Sequence, residues 1–284
     1  MSALGSIWAI CAQNFRKWRT DYRIWTIAVL MLIMVAIFMD NMKKVADGIG
    51  ADMPIWTFPF LCSEFHTKLI FTVPVILLFC SAPFIDENQM FVIMRAGRNK
   101  WLCGQILYIM IASALYYIFL LAATLVFTVF TGELTLDWGK AIIAMAGNPS
   151  VFVPGMPVFI YVNELVPKYF SPLLAVWFTF ILSWFSAMLI GAVLFTCNYL
   201  TGTKAPGMTI STVLVIFPAV TTYMKTKFEW FSPISWNSLN RVDVGGFTEY
   251  PPFEYCMTVY SSLIILLFAA AFIFGRKKDL DKKG

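Results

Sequence analysis

Long apolar runs, separated by short basic segments and long aromatic ones, set the pattern of this chain. Six runs stand out, at 24–39, 67–85, 102–130, 172–200, 206–223 and 257–275. A helix rises 1.5 Å per residue, so about 20 apolar residues cross a hydrocarbon layer of about 30 Å. The first run is short and extends at both ends, while the third and fourth are long enough to tilt or protrude. Lys68 is the one charged residue inside these limits. It lies near the start of its run, where a long stem lets the ammonium snorkel to the interface. Pro74 and Pro218 fall inside the second and fifth runs, and each frees a carbonyl and is expected to bend its helix.

Residues 1–23 follow a different rule. Leu4, Trp8, Cys11, Phe15, Trp18 and Tyr22 recur at steps of four and three, with Arg16, Lys17 and Arg19 off that stripe. This predicts an amphipathic helix in the interface plane, its cations toward anionic lipid heads. A helix packing the same stripe on protein is the alternative. Between the second and third runs, residues 86–100 carry Asp86, Glu87 and Gln89, then the apolar Met90 to Met94, then Arg95 and Gly97. Asp86 with Gln89 suits a helix start, Arg95 the negative end of its dipole and Gly97 its stop. A short helix is expected there. Three other connections, 40–66, 131–171 and 224–256, are long and rich in Pro and aromatic residues.

Composition narrows the class. Of 284 residues, 60% are hydrophobic and 13% charged, against about a quarter charged in soluble domains. That excludes a soluble enzyme, a disordered chain and a nucleic-acid module. The fold expected is an all-α membrane protein with six transmembrane helices. With both termini placed in the cytoplasm, the inner segments hold thirteen Lys and Arg with five acids. The outer segments hold eight Lys and Arg with eleven acids, so the positive-inside rule favours that orientation. The long aromatic connections are then extracellular, and the first run acts as its own uncleaved signal.

Candidate chemistry is sparse. The six cysteines are scattered, His66 is the single histidine, and there is no HExxH; a metal site needs clustered ligands. Gly202 and Gly207 have P-loop glycine spacing, but Met208 stands where a lysine would reach phosphate. No catalytic, metal or cofactor residue is assigned, and the chain is not expected to be an enzyme. Deep membrane charges, which mark ion-coupled transporters, are missing from the six runs. Uncharged polar residues remain. Gln105, Tyr108, Tyr116, Thr124, Asn198 and Thr212 are candidates to line a route, although most such groups bond to neighbouring helices. Ser183, Ala187 and Gly191 form a small-residue face for close helix packing.

The basic amphipathic N-terminal helix, six runs and short inner helix together resemble the permease subunit of a type-two ABC exporter. The segment from Phe84-Ile85-Asp86-Glu87 through Arg95-Ala96-Gly97-Arg98-Asn99-Lys100-Trp101 carries the resemblance most closely. It is similar to bacterial half-size permeases of peptide-antibiotic export and immunity. The resemblance implies a location in the bacterial cytoplasmic membrane and a pairing of two permeases, identical or related, with two ABC ATPase subunits that hold ATP and Mg. It implies a coupling helix at 86–100, with Asp86, Glu87, Phe91, Arg95 and Arg98 meeting the ATPase. It makes residues 1–23 a connecting helix, with Leu4, Trp8, Phe15 and Trp18 toward lipid beside Arg16, Lys17 and Arg19. It also implies a re-entrant pair of short helices within 228–256. The expected function is ATP-driven export of amphipathic or hydrophobic cargo, a peptide being one form. The alternatives are a non-transporting sensor or immunity scaffold on the same ATPase and, behind it, an intramembrane lipid enzyme. The long 131–171 segment departs from compact members of the family.

Overall fold

The computed structural model describes residues 2–84, 89–131, 136–147, 161–223, 226–243, 245–246 and 248–275. It is all-helical, with no strand among the described residues. Among the described residues ten α-helices follow in chain order: α1 Ala3–Lys17, α2 Tyr22–Ile49, α3 Phe65–Phe79, α4 Gln89–Ala96, α5 Arg98–Thr131, α6 Gly139–Gly147, α7 Leu165–Tyr169, α8 Pro172–Thr201, α9 Ala205–Tyr223 and α10 Phe253–Gly275. Four of them, α2, α5, α8 and α10, are long and apolar enough to cross a membrane, which makes this a membrane-embedded protein. α3 and α9 are apolar but shorter in that sense.

Local chemistry explains where the helices stop. α8 begins with Pro172 in its first turn and ends at Gly202, whose φ of 79° accepts a left-handed C-cap. α2 continues well past the apolar run, through the Asp40–Lys44 ion pair, to a left-handed Gly50. The connection expected over 40–66 therefore gives its first ten residues to the helix. α3 corrects the span expected over 67–85: it closes at Phe79, and the chain turns through Cys80–Phe84. Pro83 has no amide hydrogen with which to continue the ladder.

α8 is the hub. It packs on α3, α5, α9 and α10 and is the most enclosed of the four long helices. The small-residue face at Ser183, Ala187 and Gly191 is internal. A Cβ on Gly191 would stand 2.7 Å from Ile109 of α5 and 3.1 Å from Phe79 of α3. The chain alternates between two ends of this bundle. One end holds α1, the Cys80–Phe84 turn, α4, the 202–204 turn and the close of α10. The opposite end holds the 3-10 turn Phe58–Phe60, the approach to α8, and three successive 3-10 turns at Thr226–Phe231, Pro233–Asn237 and Leu239–Arg241.

Those three turns stand where the resemblance implied a re-entrant pair of helices. Their sequence shows why. Pro233 interrupts an α ladder, and Ser232, Ser235 and Ser238 recur every third residue. A 3-10 helix has three residues per turn and aligns i with i+3. Ser232 and Ser235 accordingly meet at 2.7 Å.

Candidate functional site

At the first end, α4 is an eight-residue helix that stops at Gly97, φ 84°, whose amide donates to Ile93 O. α5 restarts at Arg98 with no further linker. Val92, Ile93 and Ala96 pack on the bundle. Phe91 and Met94 point away, 69% and 71% exposed, with Arg95 exposed beside them. Spacing of three and four places these three side chains on one face. An apolar pair rimmed by a cation, on a short helix beside the membrane-embedded bundle, suits docking into a partner's groove.

The other residues assigned to coupling behave differently. Asp86 and Glu87 lie outside the described residues. Arg98 turns toward the bundle: its Nε donates to Tyr199 Oη at 2.9 Å, and its guanidinium sits 5.7 Å from the centre of that ring. It fastens the start of α5 to the end of α8, away from the face with Phe91.

α1 is divided along its length. Leu4 and Trp8 are exposed, 79% and 60%, as is Arg16, and Arg19 in the turn after α1 is exposed too. The C-terminal part docks on protein, so the expectation that the whole stripe faces lipid is corrected. Ile10, Cys11 and Asn14 are buried. Phe15 and Trp18 pack around Tyr108 of α5, and Lys17 Nζ donates to Phe84 O at 3.1 Å. Trp18 Nε1 donates to Tyr108 Oη at 2.8 Å. Close approach is possible because α5 offers Gly104 there; a Cβ on it would meet Ile10 at 2.7 Å. Asp21 caps α2, and the Arg23 guanidinium that hydrogen-bonds to it holds its carboxyl below the usual range. Arg23 also reaches Cys80 Sγ and Ser81 Oγ, tying this elbow to the turn after α3.

The residues proposed to line a route are mostly committed to contacts inside the bundle. Gln105 Oε1 accepts from Asn14, and Tyr108 from Trp18. Tyr116 donates to Phe71 O at 2.8 Å and Thr124 to Leu121 O at 2.8 Å. Asn198 donates to Ala82 O and accepts from the Gly207 amide, joining α8, α9 and the turn after α3. All five are buried, whereas Thr212 is exposed on α9.

The opposite end holds charge that sequence reasoning misplaced. Lys68 does not snorkel. It is 5% exposed, and its ammonium donates to Ser235 O at 2.9 Å. It sits beneath the strap formed by the three 3-10 turns. Helices fasten that strap from several sides. Asn237 donates to Thr72 Oγ1 of α3 and accepts at its carbonyl from Ser183 of α8. Thr221 of α9 meets Ser235, and Tyr260 of α10 donates to Pro233 O. Within the strap Glu229, 1% exposed, pairs with Arg241 at 2.8 Å. The period-three serines were the available sequence signal for this segment. An open cleft of about 190 Å³ lies beside it, bordered by Asn163, Tyr169, Phe170, Asn240, Asp243 and Tyr250. Cys62 is buried nearby, and burial pushes its thiol up to about 12. His66 pairs with Glu64 at the start of α3. Among the described residues no three His, Cys or carboxylate groups gather to hold a metal.

Comparison with family models, curated proteins and solved structures finds no match to this chain.

Proposed function

We propose that this chain is the permease subunit of an ATP-driven exporter, moving amphipathic or hydrophobic cargo, peptides included, under the drive of a separate ABC ATPase. The observation that carries this is the exposed face Phe91–Met94–Arg95 on α4. It is offered at the end where Arg16, Arg19, Arg95, Arg98, Lys100 and Lys204 gather, the end that the positive-inside rule assigns to the cytoplasm. α3 and α9 serve as the two remaining crossings of a six-span bundle, with both termini inside. Their 15 and 19 residues rise about 22 and 28 Å. Turns at both ends of α3 cover the remaining depth.

The drive comes from outside the chain. Its sequence lacks a complete P-loop, so ATP and Mg belong to the partner, and two such ATPases meet two permeases. A partner shifts a two-state permease only through contacts that differ between the states. α4 continues directly into α5, and α5 is bonded to α1 and α8. A push on α4 therefore moves three helices together.

The test is to look for an ABC ATPase gene beside this one and to co-express the two proteins. Both proteins should co-purify, and reconstituted permease should stimulate ATP hydrolysis. Phe91→Asp should abolish stimulation while leaving the permease monodisperse. Failure to co-purify, with Phe91→Asp indistinguishable from the parent, sinks the reading. A second reading is a sensor or immunity scaffold that docks the same ATPase and opens no path. The internal bonding of Gln105, Tyr108, Tyr116, Thr124 and Asn198 favours it. Cargo accumulation in sealed vesicles on ATP addition separates the two.

A further inference from the structure

At the end away from α4, a lysine is buried where the fold does not neutralise it. Lys68 is 5% exposed, and its ammonium has three donors. Among the described residues it makes one hydrogen bond, to the carbonyl of Ser235. The two acids that act on it, Glu229 and Glu64, pair instead with Arg241 and His66, Glu229 through Oε1. Glu229 Oε2 is buried with no partner among the described residues. A neutral carbonyl compensates only part of the water an ammonium gives up on burial. The strap above Lys68 is held by neutral tethers: Tyr260 to Pro233 O, Ser183 to Asn237 O and Asn237 to Thr72. The chain leaving it passes Gly245-Gly246 and then Pro251-Pro252, with Gly246 at φ 74°.

We propose that the strap at 226–241 is a movable closure over this end of the bundle, and that the buried ammonium of Lys68 biases it toward opening. The inference rests on the permease reading for its purpose but not for its physics. In the closed state the neutral bonds favour closure and the ammonium opposes it. When the helices part, Lys68 and the free Glu229 oxygen gain water together, so the opposition disappears. A charge in that position keeps the closure shallow, which a gate that must open in each cycle requires. An ionisable residue buried within a membrane segment is by default a candidate for function.

The sign of one substitution decides the matter. An ammonium buried without an ion-pair partner carries a desolvation cost that one carbonyl does not return, so an apolar residue of similar shape in its place should stabilise the closed arrangement, whereas removing a neutral tether loosens it. Cys256, 0% exposed at this end, reports opening without an introduced cysteine. Full-length protein in nanodiscs, with both faces in solution, is treated with a charged maleimide, and modification of each cysteine is followed by peptide mass spectrometry. Lys68→Met should slow labelling of Cys256 roughly tenfold; Cys256 alone decides the sign, because the Cys62 thiol feels the Lys68 charge and loses reactivity with it whether or not the strap moves. Lys68→Arg, which keeps the charge, should label near the parent rate. Tyr260→Phe should speed labelling.

Faster or unchanged labelling in Lys68→Met overturns the proposal, since Lys68 is then a tether or inert. A Lys68→Arg rate matching Lys68→Met also overturns it. Faster labelling of Cys11 and Cys103 at the other end, together with Cys256, identifies general unfolding; the thermal midpoint of Lys68→Met, expected at or above the parent, then decides, and a lower midpoint counts against the proposal. No ATPase or cargo enters this assay. Failure of the exporter reading therefore leaves the labelling result standing, and a flat labelling result leaves ATPase stimulation untouched.

Discussion

Asn14 and Gln105, ninety-one positions apart, share a hydrogen bond of 2.8 Å between their side-chain amides, and both are buried. The pair pins α1 to the first turns of α5 beside the Trp18–Tyr108 bond. Removing one partner strands the other without water, which costs about 1–3 kcal/mol. Gln105→Leu should therefore lower the thermal midpoint and speed proteolysis after Arg16 and Lys17. The double variant Asn14→Leu, Gln105→Leu should recover part of that loss, because neither amide is then left unpaired. A double variant no better than the worse single one contradicts this.

The same contact depends on a residue with no side chain. A Cβ on Gly104 would lie 2.7 and 2.8 Å from two side-chain atoms of Ile10 and 3.2 Å from the Ile7 carbonyl. Gly104→Ala should push α1 off α5 and cost about 1–3 kcal/mol, the usual range for overpacking. Gly48 is the internal control. It lies in α2 with nothing near its Cβ position, so Gly48→Ala should raise stability by about 0.5–1 kcal/mol through helix propensity alone. Urea-unfolding midpoints for the two variants should move in opposite directions.

These features were unequally legible in the sequence. The long apolar runs announced α5, α8 and α10, and Gly97 and Gly202 announced two helix ends, because burial period and left-handed glycine are local signals. Docking of α1 was harder to read. Its stripe is aromatic, as a lipid-facing one would be, and the clues that it packs on protein are Asn14 beside the stripe and the Gly104-Gln105 pair ninety positions later. Lys68 reads as a snorkelling residue because its carbonyl partner lies 167 positions away, and nothing local predicts that the strap will fold over it. The strap was partly visible in Ser232, Ser235 and Ser238, whose period of three belongs to neither an α-helix nor a strand.

The Asp21–Arg23 elbow predicts a pH dependence with a definite sign. The Arg23 hydrogen bond lowers the Asp21 carboxyl pKa in the folded protein. A group lowered on folding contributes stability above its unfolded value, and that contribution is lost as pH falls through the folded value. Asp21 is half-buried and its partner Arg23 more exposed, so the effect is small and salt-sensitive. The thermal midpoint should decline on acidification below the ordinary carboxylate range, and Asp21→Asn should flatten that part of the profile. An identical profile for Asp21→Asn assigns the acid sensitivity to other carboxylates.

Tyr199 is where three helices meet at the α4 end. Arg98 donates to its hydroxyl and covers its ring, Trp101 packs against it at 5.9 Å, and Phe195 stacks on it at 5.7 Å. Gly275, near the close of α10, leaves room for the ring; a Cβ there would clash with Tyr199. Tyr199→Phe removes the hydroxyl and keeps the ring, so it should cost about 1 kcal/mol, the usual net value of one hydrogen bond. Arg98→Ala removes the hydrogen bond and the cation together and should cost about 1–3 kcal/mol. Residues that share one bond are not additive. The double variant should cost less than the two single losses combined, with a coupling of about 0.5–2 kcal/mol in the cycle. Gly275→Val should abolish that coupling by displacing the ring from Arg98, even where Arg98 and Tyr199 are both present. Full additivity in the Gly275 parent would mean that the bond carries no energy, and that the start of α5 is held to α8 by packing alone.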